Sequence, residues 1–440
     1  MTIWRDATWR GLTLAVVLIV VALAVPPVFG WEVAARSMGG GAAPLHGFWE
    51  PKLLGPGTVP AVVLAVLSWR YAVDLAERLP WRWLLLASYA TGLAWLLSLA
   101  FVDGVSGMTR TMEHGYDYLH TAREVTDVRA VLEIYVDRIP YRSPDNWTVH
   151  VAGHPPLALL FFVGLVKIGL GGSLAAGTTV TVLAASTVPA VLTTLRTLGA
   201  EGLARRAAPF LVLSPAAVFV AVSADGLFAA VAAWGLAALA VAATRDRWPA
   251  TVGWSVVAGL LLGCCVMMSY GLALLGFLAL AVLWVARSWR PLPVAAATAL
   301  AVVLLFAVLG FAWWEAYLVL HDRYWDGLAR RRPAEYWMWA NLAALLLSAG
   351  PLLGAGLGRL AALRGNADRV VTWLVLGALA AVAVADLSRM SKAEVERIWL
   401  PFVPWLLLST ALLPDRWRRP GLALQLVVAL LLQHLLFTSW

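Results

Sequence analysis

Residues 103–156 form a polar stretch inside a chain that is 61% hydrophobic. The stretch begins at Asp103, directly after an apolar run, and ends at Pro155-Pro156, where the next apolar run starts. Its interior contains both carboxylates and guanidinium groups: Glu113, Asp117, Glu124, Asp127, Glu133, Asp137, Asp145, Arg110, Arg123, Arg129, Arg138 and Arg142. A positioned carboxylate can take a proton from a hydroxyl group. Carboxylates held beside apolar segments therefore indicate chemistry on a substrate that a membrane delivers.

Two aspartates are the candidate acids of such a site. Asp103 ends an apolar run, and it is either a general base or a boundary acid in water. Asp225 follows Ser223-Ala224 and precedes an apolar run, where burying an acid costs roughly 2.5–3.5 kcal/mol near a helix centre and less at its boundary. The competing role for Asp225 is a helix N-cap, and the two roles can coexist.

Two later loops contain the candidate phosphate-binding arginines. Arg330, Arg331 and Arg332 lie among tyrosines and tryptophans. A guanidinium fork pairs with phosphate, so this loop suits a lipid phosphate, although an interfacial aromatic belt with snorkelling arginines explains it equally well. Arg397 follows Glu396, and the pair is either a phosphate-binding arginine with an orienting carboxylate or an ion pair within the protein.

The composition indicates an all-α, polytopic transmembrane helical bundle. The mean hydropathy is +0.80 and 13% of residues are charged, which excludes an ordinary soluble domain. The apolar runs do not alternate as barrel strands do, and several can cross a bilayer core of roughly 30 Å. The segments predicted to be apolar helices are 11–29, 57–73, 82–102, 155–170, 174–195, 204–222, 226–243, 252–268, 270–286, 292–314, 337–357, 370–386, 398–413 and 420–437.

The charge balance and the cysteines exclude other classes of site. The net charge of +8 comes from basic residues spread over many short loops, so we expect no nucleic-acid partner. Cys264 and Cys265 are adjacent within an apolar run and are interpreted as packing residues. No His/Cys spacing typical of a metal site is present, so we predict no metal ligands.

The number of predicted segments conflicts with the side of the membrane on which the arginine-rich loops are expected. Arg5 and Arg10 place the N-terminus inside, but if every segment spans, the later arginine-rich loops all fall outside. One segment among 155–170, 174–195 and 204–222 must therefore fail to cross, and 155–170, which is short and begins with two prolines, is the best choice. We expect about 13 spanning helices plus one partially inserted helix. The loop 103–154, the turn at 223–225, the loop 315–336 and the loop 387–397 then share the outer face.

Three regions follow from this topology. Residues 1–80 are predicted to form an N-terminal transmembrane hairpin with an outer loop. Residues 81–290 form a core that contains the long outer loop 103–154. Residues 291–440 form a C-terminal bundle with the outer loops 315–336 and 387–397.

These features resemble the C-type (GT-C) integral-membrane glycosyltransferases, which include protein O-mannosyltransferases, aminoarabinose transferases and mycobacterial arabinosyl- and mannosyltransferases. The resemblance covers roughly residues 82–290. It rests on an acid after a helix, a long outer loop, a diproline motif, a Ser-Pro segment before a second acid and a glycine-containing later helix: Phe101-Val102-Asp103-Gly104, Gly153-His154-Pro155-Pro156-Leu157, Ser214-Pro215, Ala224-Asp225 and Gly259-Leu260-Leu261-Leu262-Gly263. Where the family often has Glu-Lys before the diproline, this chain has Gly153-His154, and its N-terminal hairpin is additional.

The resemblance implies an inverting glycosyltransferase of the plasma membrane with its site on the extracytoplasmic face. Asp103 would be the base and Asp225 a second catalytic acid. The donor would be a polyprenyl-phosphate sugar, and the acceptor a hydroxyl on a glycan, lipid or protein. We predict phosphate binding by Arg330, Arg331, Arg332, Arg397 and His154, with supporting roles for Glu396, Glu113, Asp117 and Tyr270. The missing acid before the diproline leaves open whether a divalent cation assists.

Two alternatives come from other classes of protein. A lipid or solute transporter or flippase would place charges near mid-membrane and often contains an internal repeat. A non-catalytic scaffold of the cell envelope would keep the fold without the chemistry. Undiminished sugar transfer by Asp103→Asn would remove Asp103 as the base, and no transfer by the wild type from any donor would favour the transporter or the scaffold.

Overall fold

The computed structural model describes residues 6–36 and 40–438 as a mainly helical chain. The helices are Ala7–Phe29, Thr58–Arg78, Trp81–Ala100, Phe101–Asp103, Val105–Glu113, Tyr118–Glu124, Val128–Glu133, Val149–Gly153, Pro156–Lys167, Ser173–Ala184, Thr187–Thr197, Glu201–Val212, Ala217–Val220, Ala224–Ala243, Trp248–Met268, Tyr270–Leu274, Leu275–Ala286, Pro291–Val308, Trp313–Asp326, Leu328–Arg331, Ala334–Ser348, Leu352–Ala362, Arg369–Leu387, Val395–Ile398, Val403–Leu407, Leu408–Leu412 and Asp415–Leu435. The strands Gly47–Trp49 and Leu436–Thr438 pair antiparallel.

Within the described ranges, eight helices are long and apolar enough to cross a membrane. They are Ala7–Phe29, Thr58–Arg78, Trp81–Asp103, Ser173–Thr197, Ala224–Ala243, Trp248–Met268, Pro291–Val308 and Arg369–Leu387. A ninth is counted if Ala334–Ser348 and Leu352–Ala362, which meet at 104°, form one span. The helical multi-pass fold predicted from composition is confirmed. These eight or nine spans are fewer than the expected number, and Pro156–Lys167, Tyr270–Ala286 and Val403–Leu412 are shorter apolar helices.

Prolines explain why some predicted segments are broken. The segment predicted at 204–222 consists of Glu201–Val212 and Ala217–Val220, with Pro215 between them. The segment predicted at 398–413 starts at the end of the short helix Val395–Ile398, is non-helical around Pro401 and continues as Val403–Leu412. Proline removes a backbone donor and disfavours a helical conformation in the preceding residue. Hydropathy alone therefore predicted continuous helices where the backbone is interrupted.

The helix Pro156–Lys167 starts and finishes at the same end of the bundle. Before it, the carbonyl of His154 accepts a hydrogen bond from Tyr135 (3.1 Å). After it, the carbonyl of Gly171 accepts one from Arg123 (2.8 Å). Tyr135 and Arg123 both belong to the loop 103–154. The helix has 12 residues and is about 18 Å long, shorter than a hydrocarbon core of roughly 30 Å; that segment 155–170 is the one that fails to cross stays a prediction.

Asp103 and Asp225 lie at one end of the bundle, which we call the site end. Gly177 packs between the segments that contain these two residues. A Cβ on Gly177 would lie 2.5 Å from the carbonyl oxygen of Met108 and 2.9 Å from Cγ1 of Val222. Met108 belongs to the helix that follows Asp103, and Val222 precedes the helix that contains Asp225. Only glycine allows this close approach.

The other expected loops reach the same end. Arg323, from the loop 315–336, donates to the carbonyls of Ile139 and Trp147 in the loop 103–154. Arg332 pairs with Glu394 of the last loop at 2.8 Å. The four segments predicted to share a face therefore do converge.

The opposite end gathers the arginines of the remaining loops. Arg206 pairs with Asp415 (2.7 Å) and Arg419 pairs with Asp74 (2.8 Å). Arg369 donates to the carbonyl of Trp284 at 2.6 Å, which joins two further loop regions there. The two ends of the bundle thus differ in charge. Acidic residues are concentrated at the site end, and arginines are concentrated at the opposite end.

Candidate active site

Asp103 is held between two cations. It closes the 3-10 turn at the end of the span Trp81–Asp103, and its side chain is 11% exposed. One carboxylate oxygen is bonded to Nζ of Lys52, and the other lies 3.2 Å from Nη2 of Arg110. Lys52 has a side chain that is 45% exposed, so the cluster opens to the surface at this lysine.

Asp225 is paired with Arg397 inside the bundle. Oδ2 of Asp225 lies 3.0 Å from Nε of Arg397, and both side chains are largely buried. The backbone before Asp225 is distorted, since Val222 has φ 58°, and its N–H donates to Thr181 Oγ1 (2.9 Å). A β-branched residue in this region is strained. The N-cap role considered for Asp225 belongs to Ser223, whose Oγ accepts from the N–H of Asp225 at 3.1 Å.

His150 connects this ion pair to the long polar loop. Its Nε2 lies 3.3 Å from Nη2 of Arg397 and its Nδ1 lies 3.8 Å from Oδ2 of Asp117. Because a guanidinium only donates, Nε2 of His150 accepts, and the ring hydrogen on Nδ1 faces Asp117. Asp117 is buried and also caps the helix Tyr118–Glu124 through a 2.6 Å bond from the N–H of Tyr118. The order of contacts is therefore Asp117, His150, Arg397 and Asp225.

His154 lies close to the same network but is uncharged. Its Nδ1 donates to the carbonyl of His150 at 2.9 Å, and its ring lies 5.8 Å from that of Phe228. Burial lowers the pKa of His154 to about 4. At neutral pH it therefore offers Nε2 as an acceptor rather than a positive charge, which does not favour the predicted phosphate-binding role.

Glu394 and Glu396 join the last loop to the first. Glu396 is buried, and its Oε1 accepts from the N–H of His46 at 2.6 Å. Burial raises the pKa of Glu396 to about 7. Burial also opposes the ionisation of Glu394, but His46, Arg332 and Arg397 outweigh it and hold the pKa of that carboxyl well below its usual range. The backbone is left-handed at Ala393 and Glu394, with φ 68° and 64°.

The remaining predicted site residues are dispersed. Arg332 is buried, and it donates to the carbonyls of Ala34, Ala35 and Lys392 as well as to Glu394. Arg330, Arg331 and Glu113 are exposed. Tyr270 is buried, with its ring 5.4 Å from that of Trp313 and 5.8 Å from that of Tyr317. The structure thus brings Asp117, Asp225 and Arg397 into one network but not Arg330 and Arg331.

Sequence reasoning missed Lys52, Arg110, His150 and His46. Arg110 lies seven residues after Asp103, on the next helix Val105–Glu113, and the break at Gly104 (φ 66°) between them could not be read from the spacing. Lys52 is one of three lysines in the chain and lies in the first loop of the site end. Within the described ranges, no group of three or more His, Cys, Asp or Glu residues could hold a metal ion.

Comparisons with known proteins give a similarity in fold. No family model and no curated protein matches the chain. Two structures of ArnT from Cupriavidus metallidurans are similar: one bound to undecaprenyl phosphate (19% identity, TM-score 0.46) and one in the apo state (20% identity, TM-score 0.43). Each match covers 73% of this chain and 59% of the ArnT chain, so this chain matches less than two thirds of ArnT.

Proposed function

We propose that this protein transfers a sugar from a polyprenyl-phosphate donor to a hydroxyl acceptor, with inversion at the anomeric carbon. The observation that supports it most directly is the Asp103 cluster. A carboxylate at the end of a spanning helix lies between two cations, one of them 45% exposed. This arrangement supplies a base and a phosphate-binding pair within one small site at the surface of the bundle.

In this mechanism Lys52 and Arg110 bind the lipid phosphate of the donor. Charge-assisted bonds to phosphate are the strong ones, and Arg110 can form two of them. The phosphate competes with Asp103 for both cations, so the carboxylate loses partners and becomes a better proton acceptor. Arg397, predicted earlier as a phosphate ligand, instead stabilises the arrangement of the loops through Asp225.

The reaction is a single displacement. Asp103 accepts the proton of the acceptor hydroxyl while that oxygen forms a bond to the anomeric carbon. The bond between the anomeric carbon and the phosphate oxygen breaks, and its electron pair leaves with the polyprenyl phosphate. Lys52 and Arg110 stabilise this charge, and such preorganised stabilisation typically contributes several kcal/mol. The phosphate leaving group needs no general acid, unlike the leaving group of a glycoside hydrolysed in water.

We place the site end on the extracytoplasmic face of the plasma membrane. The opposite end contains the arginine-rich loops, and cytoplasmic loops carry the excess of Arg and Lys. Asp225 and Asp386 lie near the ends of their spans, whereas a transporter typically places charges near mid-membrane. The arrangement therefore favours a transferase at the surface.

The test is sugar transfer by purified protein in nanodiscs with a panel of labelled polyprenyl-phosphate pentoses and hexoses. Asp103→Asn should reduce transfer at least a hundredfold, the lower part of the range for general-base catalysis. Asp137→Asn, a change of the same kind at an exposed aspartate of the same loop, should leave it unchanged. Full activity of Asp103→Asn would remove Asp103 as the base.

Two further results would decide against a transferase altogether. Wild-type protein that transfers no sugar from any donor, but moves a labelled lipid across the bilayer, would identify a flippase. Wild-type protein with neither activity would favour a scaffold. Mass spectrometry of co-purified lipid tests the donor class separately, because polyprenyl phosphate is the leaving group of the proposed reaction and its presence would support a polyprenyl-phosphate donor.

A further inference from the structure

The strand Leu436–Thr438 lies directly beside the Asp103 cluster. It pairs with Gly47–Trp49 in the register Gly47 with Thr438, Phe48 with Phe437 and Trp49 with Leu436. The pairing continues beyond the strands, because Glu50 N–H donates to the carbonyl of Leu435 (3.1 Å) and Lys52 N–H donates to that of His434 (2.7 Å). The backbone of Lys52 is therefore held by the segment 434–438.

Arg110, the second cation, is held by the same strand. Its Nη2 donates to the carbonyl of Thr438 at 3.0 Å, and its guanidinium carbon lies 4.2 Å from the centre of the Phe437 ring. The same Nη2 lies 3.2 Å from Oδ2 of Asp103. The segment 434–438, which joins the end of the preceding helix to the strand, thus contacts both residues that pair with the carboxylate.

We infer that the strand Leu436–Thr438 is a positioning element: it holds Arg110 directly, and its pairing with Gly47–Trp49 sets Lys52 against His434, so that both cations lie on Asp103. The strand acts through these two residues and does not itself touch the reacting atoms. Its effect on catalysis rests on the proposed function, whereas its effect on the position of Lys52 does not.

The strand also connects the two parts of the site. The loop that pairs with it begins at His46, whose N–H donates to Glu396 beside Arg397. Displacement of the strand therefore loosens the Asp103 cluster first, while the Asp225–Arg397 pair keeps its own contacts. The expected result of a strand mutation is a local change in the surroundings of Lys52 and Arg110 in a protein that stays folded.

Lysine labelling tests the position of Lys52 without any substrate. The chain has three lysines: Lys52 in the cluster, Lys167 exposed and Lys392 buried. Phe437→Pro removes a strand N–H and constrains the backbone, which should break the pairing. Labelling of Lys52 by an amine reagent, measured by mass spectrometry, should rise at least twofold relative to Lys167, while Lys392 stays protected. Unchanged labelling of Lys52 in a variant that has lost the pairing would overturn the inference.

Transfer kinetics test the contact with Arg110. Phe437→Ala removes the ring that faces the guanidinium, and the KM for the donor should rise roughly threefold to tenfold, with a small change in kcat. Phe437→Tyr keeps an aromatic ring and should restore the wild-type KM. Wild-type activity with equal KM values in all three proteins would contradict the role of Phe437. A wild-type protein without transferase activity would contradict the proposed function instead, and the labelling result would still decide the position of Lys52.

Discussion

Arg397 Nε lies 3.0 Å from Asp225 Oδ2, so a loop near the C-terminal part of the chain is fixed to the first turn of a central spanning helix. Both side chains are buried, and a buried ion pair that loses one partner leaves an uncompensated charge. Asp225→Asn should therefore lower stability by about 3–5 kcal/mol, seen as a lower midpoint of thermal unfolding in detergent.

A double variant separates structure from catalysis at this pair. Replacing both residues by apolar ones of similar size, as in Asp225→Leu with Arg397→Met, removes the charge imbalance and should recover much of the stability. Transfer activity should stay low if the ion pair is needed to arrange the site. Recovery of both stability and activity would show that the pair is only structural.

Lys52 should matter for donor binding and little for stability. Its side chain is 45% exposed, and exposed ion pairs contribute little to folding. Lys52→Ala should raise the KM for a polyprenyl-phosphate sugar about tenfold or more, because it removes a charged hydrogen bond to phosphate. Lys167→Ala is the matched control at an exposed lysine, and an equal KM in both variants would exclude Lys52 as a phosphate ligand.

Arg330 and Arg331 test the earlier sequence-based prediction of a phosphate site. Both are exposed, whereas Arg110 contacts Asp103 directly. The double variant Arg330→Ala/Arg331→Ala should change the donor KM less than about twofold, and Arg110→Ala should raise it about tenfold. If steady-state kinetics show a larger rise in the donor KM for the double variant than for Arg110→Ala, the phosphate site lies in the loop 315–336.

The sequence predicted which segments converge better than it predicted which residues meet. Apolar run lengths and arginine bias indicated the helical bundle and the four loops that converge at the site end, because these properties depend on local composition and on parity. The bends at Pro215, Gly350 and Pro401 interrupt the predicted runs, since local chain geometry overrides hydropathy there.

The choice between an exposed arginine and a buried one could not be made from sequence. Arg332 and Arg331 are neighbours in the same motif, yet the first is buried among backbone carbonyls and the second is exposed. That difference depends on contacts with residues near 34 and 392, far away in the chain. Lys52 was missed for the same reason, because the pairing of residues 47–52 with residues 434–438 brings it to Asp103.

Glu396 should make stability depend on pH. Burial raises the pKa of this carboxyl to about 7 in the folded protein, above its value in an unfolded chain. The folded state then holds the proton over a range in which the unfolded state has lost it, so this group destabilises the protein increasingly as pH rises from about 4.5 to about 7. Glu396→Gln cannot ionise and keeps an acceptor for the N–H of His46. Its thermal midpoint, relative to wild type, should rise between pH 5 and pH 8; a constant difference would contradict the raised pKa.

The topology can be tested with cysteines placed at both ends of the bundle. In a background of Cys264→Ala and Cys265→Ala, Asp137→Cys and Gly172→Cys should react with an impermeant maleimide in intact cells. Both lie at the site end, on either side of the helix Pro156–Lys167, and a Cβ at Gly172 meets no other atom within 4 Å. Arg247→Cys, beyond the far end of Ala224–Ala243, should react only after the cells are permeabilised. If residue 172 behaves like residue 247 rather than like residue 137, the helix Pro156–Lys167 crosses the membrane, and the cytoplasmic assignment of every later arginine-rich loop is wrong.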